Sequence, residues 1–307
     1  MTSPGLLNWF RISFIAIIWG GAFMFVRIAL RDFPPLTLAA GRILIGAVSL
    51  YLLMRLRGIS LPTFHDRRLW RYILLVALLS SSIPFALLSW GQQHVPSAFA
   101  GMTMAALPIF VLPLAHFFVP GEQIHTRKVI GFLVGFLGAI LLIGTRNLGV
   151  AEGILETTAR ISCITAAFCY ACGSIATRQC PPVNELALST ASLILAALIL
   201  VPIALIFDGS PKQPSLTGLL AILYLGLIPT ALAFIIKVAV TRSAGPSFMT
   251  LTNYQVPVWS VVFGSLFLGE MLPATLFIAL GLILVGLAIS QIHSLKSIFS
   301  TEQRPKA

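Results

Sequence analysis

Apolar runs of about 20 residues succeed one another along this chain, each about the length a helix needs to cross some 30 Å of hydrocarbon. Ten can be marked off: 12–30, 36–54, 72–90, 97–119 and 129–145, then 161–177, 186–207, 216–241, 247–268 and 274–292. The breaks hold charges and turn formers, among them Asp32-Phe33-Pro34-Pro35, Gly121-Glu122, Cys180-Pro181-Pro182, Asp208-Gly209-Ser210-Pro211 and Gly269-Glu270. The runs lack the alternation of barrel strands. Inside lipid every backbone group must then be satisfied within a helix. The expected fold is an all-α integral membrane protein with ten transmembrane helices.

Composition agrees and excludes the soluble classes. Of 307 residues, 58% are hydrophobic and 9% charged, against about 45–50% and about 25% in soluble domains. Mean hydropathy is +0.97. The net charge of +11 would suggest nucleic acid in a soluble protein, but here the cations sit in the breaks, where they set topology. No nucleic acid partner is expected; the lipid bilayer is the main surroundings. With the N-terminus inside, thirteen Lys and Arg fall on cytoplasmic segments and five on outer ones. Both termini are therefore expected in the cytoplasm, in a multi-pass protein of the cell inner (plasma) membrane. A single cation, Arg11, precedes the first run, which continues without a cleavage site, so no cleavable leader is read there.

The two halves resemble each other. Pro34-Pro35 recurs as Pro181-Pro182, Ile83-Pro84 as Ile228-Pro229, Leu107-Pro108-Ile109 as Val256-Pro257-Val258, and Gly121-Glu122 as Gly269-Glu270, while Gly138 matches Gly286. All offsets lie between 145 and 149 residues. This divides the chain into a first repeat, 1–150, and a second, 151–307, within one structural unit. Five helices per half is an odd number, so a second half with the same fold must enter the membrane from the opposite side. Inverted repeats of this kind surround a midplane site in many secondary transporters.

Trp19-Gly20, Arg42, Trp90-Gly91 and the twin segments Pro108…Gly121-Glu122 and Pro257…Gly269-Glu270 carry a family resemblance. Over nearly its whole length the chain resembles EamA-type members of the drug/metabolite transporter superfamily. The resemblance implies ten helices in two EamA repeats and export or exchange of amino acids, nucleobases or other metabolites.

Candidate site residues follow from polarity inside the runs. The ninth run is the most polar, with Thr250, Thr252, Asn253, Tyr254 and Gln255 one turn before Pro257. Buried amides and hydroxyls need partner helices or a wet cavity, and a pocket role is favoured for Asn253 and Tyr254. Met104 is the first-half counterpart of Asn253. Arg42, about 10 Å along the second helix, either snorkels outward or faces an interior cavity. Trp19 and Trp90 line the cavity or join an interfacial belt, and Gln93 stands at an entrance or is merely solvated. The substrate-binding set is thus Trp19, Arg42, Trp90, Gln93, Met104, Asn253 and Tyr254. Pro84, Pro108, Pro229 and Pro257 are expected hinges, because each removes a helical hydrogen bond and they recur in register.

None of the nine acids sits mid-span, so facilitated diffusion or exchange is favoured over tight proton coupling. The Cys169/Cys172 pair lacks companion ligands, and no cofactor, metal or catalytic group is expected. Gly131, Gly135, Gly138, Gly281 and Gly286 suit close helix packing, either inside the chain or across a homodimer. The reading is a secondary transporter of a small-molecule substrate, not an enzyme. A lipid-modifying enzyme using Glu152 and Glu156 in a loop, or a membrane scaffold, is the alternative.

Overall fold

The computed structural model describes residues 5–118, 126–143, 151–209, 213–244, 249 and 251–300. Among these residues there is no strand, and the helices form ten consecutive rods. They are α1 (Leu6–Ala29), α2 (Pro35–Leu56), α3 (Arg67–Gly91), α4 (Ser97–Phe118), α5 (Thr126–Ile143), α6 (Ala151–Gln179), α7 (Glu185–Phe207), α8 (216–244), α9 (Thr252–Leu268) and α10 (Ala274–Ser300). Seven of them, α1 to α4 and α6 to α8, are long and apolar enough to cross a membrane. The other three contain shorter apolar stretches: Val129–Gly138, Gln255–Leu268 and Ala274–Gly286.

Local sequence explains the ends. Pro35 takes the first position of α2, where its missing N–H costs nothing. Asp66 caps α3 by accepting from the Leu69 amide at 3.0 Å, and Asn184 caps α7 by accepting from Leu186 and Ala187. Gly269 closes α9 with φ +65°, a conformation glycine adopts without steric penalty. Between its ends α7 is apolar all round, with Leu198 and Phe207 exposed, as lipid contact requires.

Two boundaries differ from expectation. Helix α6 begins at Ala151 rather than 161, so Glu152 and Glu156 lie in a helix and not in a loop. Glu156 there accepts from Arg160 Nε one turn on, at 3.1 Å. The segment after Gly153, which holds Glu156, Thr157, Thr158 and Arg160, is helical, and this pair contributes to it. Asn253, expected seven residues into its helix, is the second residue of α9.

The main core gathers Phe23, Leu88, Phe99, Met102, Met104, Ile109, Cys163, Val256 and Ile283 from α1, α3, α4, α6, α9 and α10. Glycines allow the closest helix contacts. A Cβ on Gly286 would lie 2.5 Å from the Gly135 amide nitrogen, and one on Gly138 would lie 2.8 Å from the Ala279 carbonyl. The seam of Gly131, Gly135, Gly138 and Gly286 therefore joins α5 to α10 inside the chain. Gly281, also on α10, faces open space.

Candidate transport site

Helices α3 and α8 are both interrupted near their prolines. In α3 the turn Leu78–Ser82 widens to a π-helix just before Ile83-Pro84, and in α8 the π segment Gly226–Leu232 contains Pro229. Proline has no N–H to donate, so the ladder beneath it must be completed otherwise. The widened turns do so with bonds that reach five residues back, and hydroxyls reinforce them. Ser82 Oγ donates to the Ala77 carbonyl at 3.1 Å, and Thr230 Oγ1 donates to the Leu225 carbonyl at 2.8 Å. Each reaches five residues back, to the carbonyls of a widened turn.

Thr230 then serves a second partner. Its oxygen accepts from Arg42 Nε at 3.3 Å. The guanidinium carbon lies 3.8 Å from the centre of the Phe85 ring, close enough for cation–π attraction. Phe85 in turn meets Tyr170 edge-on at 6.4 Å. The Trp19 indole donates to the Pro229 carbonyl at 3.1 Å. Side chains from α1, α2, α3, α6 and α8 thus meet around the two widened turns. Helices α2 and α8 can approach this closely because Gly46 faces Thr230 and Gly226 faces the Arg42 carbonyl. Arg42 is turned between α3 and α8, so of its two expected orientations it adopts the interior one.

The remaining expected residues are dispersed. Trp90 packs on the main core and meets His94 edge-on at 5.4 Å. Met104 is buried and begins the 3₁₀ turn Met104–Ala106, directly ahead of Pro108. Pro257 lies inside an uninterrupted α9, its carbonyl accepting from Ser260 at 2.8 Å. Asn253 is half-buried and makes no hydrogen bond among the described residues. The Tyr254 side chain, Thr250, and the Gly121-Glu122 pair lie outside the described residues. Among the described residues no three His, Cys, Asp or Glu gather as a metal site.

A second polar region occupies the end of the bundle where α1, α3, α7 and α9 finish. Gln93 lies there, exposed, in an open cavity of about 340 Å³ shared with Arg27, Arg31, His94 and Glu270. Glu270 accepts from the Ser97 and Ala98 amides at 2.6 and 2.9 Å, and so holds the positive start of α4. Arg27 donates to the Gln92 carbonyl at the negative end of α3. Asp32 accepts from the Ser215 amide at 3.2 Å, and Asp208 from the Thr37 amide at 2.7 Å. The buried Gln92 amide and Ser97 hydroxyl have no hydrogen-bond partner among the described residues.

Phe85, Tyr170, Thr230 and Glu270 were not among the sequence candidates. For Thr230 a signal existed: a hydroxyl beside the repeated Ile-Pro pair. Phe85 and Tyr170 carried none, being ordinary aromatics in apolar runs.

An all-helical bundle of apolar rods, two of them broken where polar side chains meet, has the build of a membrane transporter. The chain belongs to the EamA-like transporter family, which matches it twice, at residues 10–144 and 157–291. Among its relatives is the inner membrane transporter YedA of Escherichia coli (strain K12), 28% identical over 89% of this chain and 87% of that one. Another is a probable amino-acid metabolite efflux pump of the same organism, 24% identical over 90% of this chain and 92% of that protein. A solved crystal structure shares the fold with a TM-score of 0.67 at 21% identity, covering 92% of this chain and 97% of that one.

Proposed function

We propose that this protein is a secondary transporter that moves a small polar metabolite by alternating access through two inverted five-helix repeats, 1–150 and 151–307. In this reading all ten rods cross the membrane and both termini are cytoplasmic. The observation that carries it is the pair of π-widened turns at Pro84 and Pro229, which meet around Arg42 and Trp19. Broken helices at repeat-related positions are the usual surroundings of a transport site. Trp19 and Arg42 form the centre of the site, and Trp90, Gln93, Met104, Asn253 and Tyr254 lie along the path to it. Pro84, Pro108, Pro229 and Pro257 are its hinges. Amino acids and nucleobases are the candidate substrate classes, the former favoured by the efflux-pump relative.

The test is flux in proteoliposomes. Radiolabelled substrate should move down its own gradient with no imposed pH difference, because the described acids stand at helix ends. Transport that stops when the proton gradient is collapsed, despite a standing substrate gradient, would refute the facilitator mechanism. Absence of flux for every amino acid and nucleobase would refute the transporter reading itself.

A further inference from the structure

We infer that the substrate carries a carboxylate, and that Arg42 is the residue that reads it; the inference rests on the transporter reading above. An arginine cannot shed its charge inside a protein, and its fork offers five N–H donors. Arg42 uses one of them, Nε, on Thr230, and lays its face on Phe85. Its two terminal nitrogens have no hydrogen-bond acceptor among the described residues. No carboxylate among the described residues pairs with it either. Asp32, Asp208 and Glu270 hold backbone amides at the loop face, Asp66 caps α3, and Glu156 pairs with Arg160.

A cation in the hydrocarbon layer with free donors and no counter-ion is costly to maintain unless an anion completes it. The geometry selects which anion. Thr230 and Phe85 fix the guanidinium at one edge and one face, and leave free the terminal pair, the edge that binds a carboxylate bidentately. The Tyr170 hydroxyl, near enough to Arg42 for the two to interact electrostatically, makes no hydrogen bond among the described residues and is a further donor. A phosphate dianion would call for a second cation, yet Thr230, Phe85 and Tyr170 are all neutral. A nucleobase offers no carboxylate, so the proposal divides the two substrate classes in favour of amino acids. Trp19, tethered to the Pro229 carbonyl, presents a flat apolar surface for the rest of the molecule.

The test is thermal stabilisation of the full-length protein in detergent, since a ligand that binds the folded state raises its melting temperature. The probes are the proteinogenic amino acids, each paired with its own carboxamide, with uracil as a carboxylate-free control. At least one amino acid should raise the melting temperature, while its carboxamide and uracil should not. This comparison needs only the wild-type chain. Arg42→Lys keeps the charge but loses the fork, and should weaken binding of that amino acid by about tenfold or more. Tyr170→Phe should weaken it by about two- to tenfold. Equal stabilisation by acid and carboxamide, unchanged binding by Arg42→Lys, or stabilisation by uracil alone would each overturn the inference. So would the lack of any shift with all the amino acids. Flux of uracil in proteoliposomes would then leave the transporter reading standing, whereas an amino acid that binds through Arg42 but is never transported would refute that reading and spare this one.

Discussion

Thr230 occupies a position where one hydroxyl satisfies two groups at once. It donates to the Leu225 carbonyl within the widened turn, and it accepts from Arg42. Thr230→Val preserves the shape and removes both bonds. Losing the bond within the turn and leaving one guanidinium donor unpaired should cost about 1–3 kcal/mol, read as a lower melting temperature and weaker substrate binding. Thr230→Ser should restore most of both, because it returns the oxygen. Arg42 and Trp19 could be picked from the sequence because a charge or an indole stands out in an apolar run. Phe85 and Tyr170 could not, since their roles exist only once α3 and α6 are brought against α2. Asn253 stands out for the polarity of its stretch, and its side chain, in the first turn of α9, makes no hydrogen bond among the described residues.

Among whole elements, the contact between α5 and α10 depends on the absence of side chains. Gly286→Ala would drive a methyl group into the backbone of Gly131 and Gly135. Overpacking of that kind costs about 1–3 kcal/mol. Gly281→Ala, five residues earlier on the same helix, meets open space and should stay within about 0.5 kcal/mol of the wild type. Melting temperatures of the two purified variants would separate packing from helix propensity, which the two substitutions share. That Gly135, Gly138 and Gly286 suit close packing was legible from their spacing, whereas the same expectation for Gly281 is corrected by the open space it faces. Which helix the packed glycines meet was not legible, because spacing along one helix says nothing about its partner. The prolines behaved similarly: their register between halves marked Pro84 and Pro229, but the widening of the turns beside them to π-helix could not be read from that register. The early start of α6 was missed because hydropathy marks where a helix enters lipid and not where it begins, and residues 151–160 are polar enough to stand outside it.

For the molecule as a whole, the run of hydropathy and the charge of the breaks already contained the succession of rods. The proposed orientation has its strongest support in the five arginines between Arg55 and Arg71. A cysteine placed at Gly58, an exposed turn residue with open space around it, should react with impermeant thiol reagents only after the cytoplasmic face is opened. Labelling in intact cells would reverse the orientation. The end of the bundle bearing Asp32, Asp208 and Glu270 has a kinetic consequence. Those carboxylates and Arg27 tie the α1–α2 loop to α8, the α7–α8 loop to α2, the end of α9 to α4, and α1 to the end of α3. In the proposed alternating-access cycle, four staples between different elements cannot be undone one hairpin at a time, so this mouth should act as a toggle with a threshold. Its opening should have a steep temperature dependence, and Glu270→Ala, by removing one staple, should flatten the Arrhenius plot of transport while leaving substrate affinity at Arg42 unchanged.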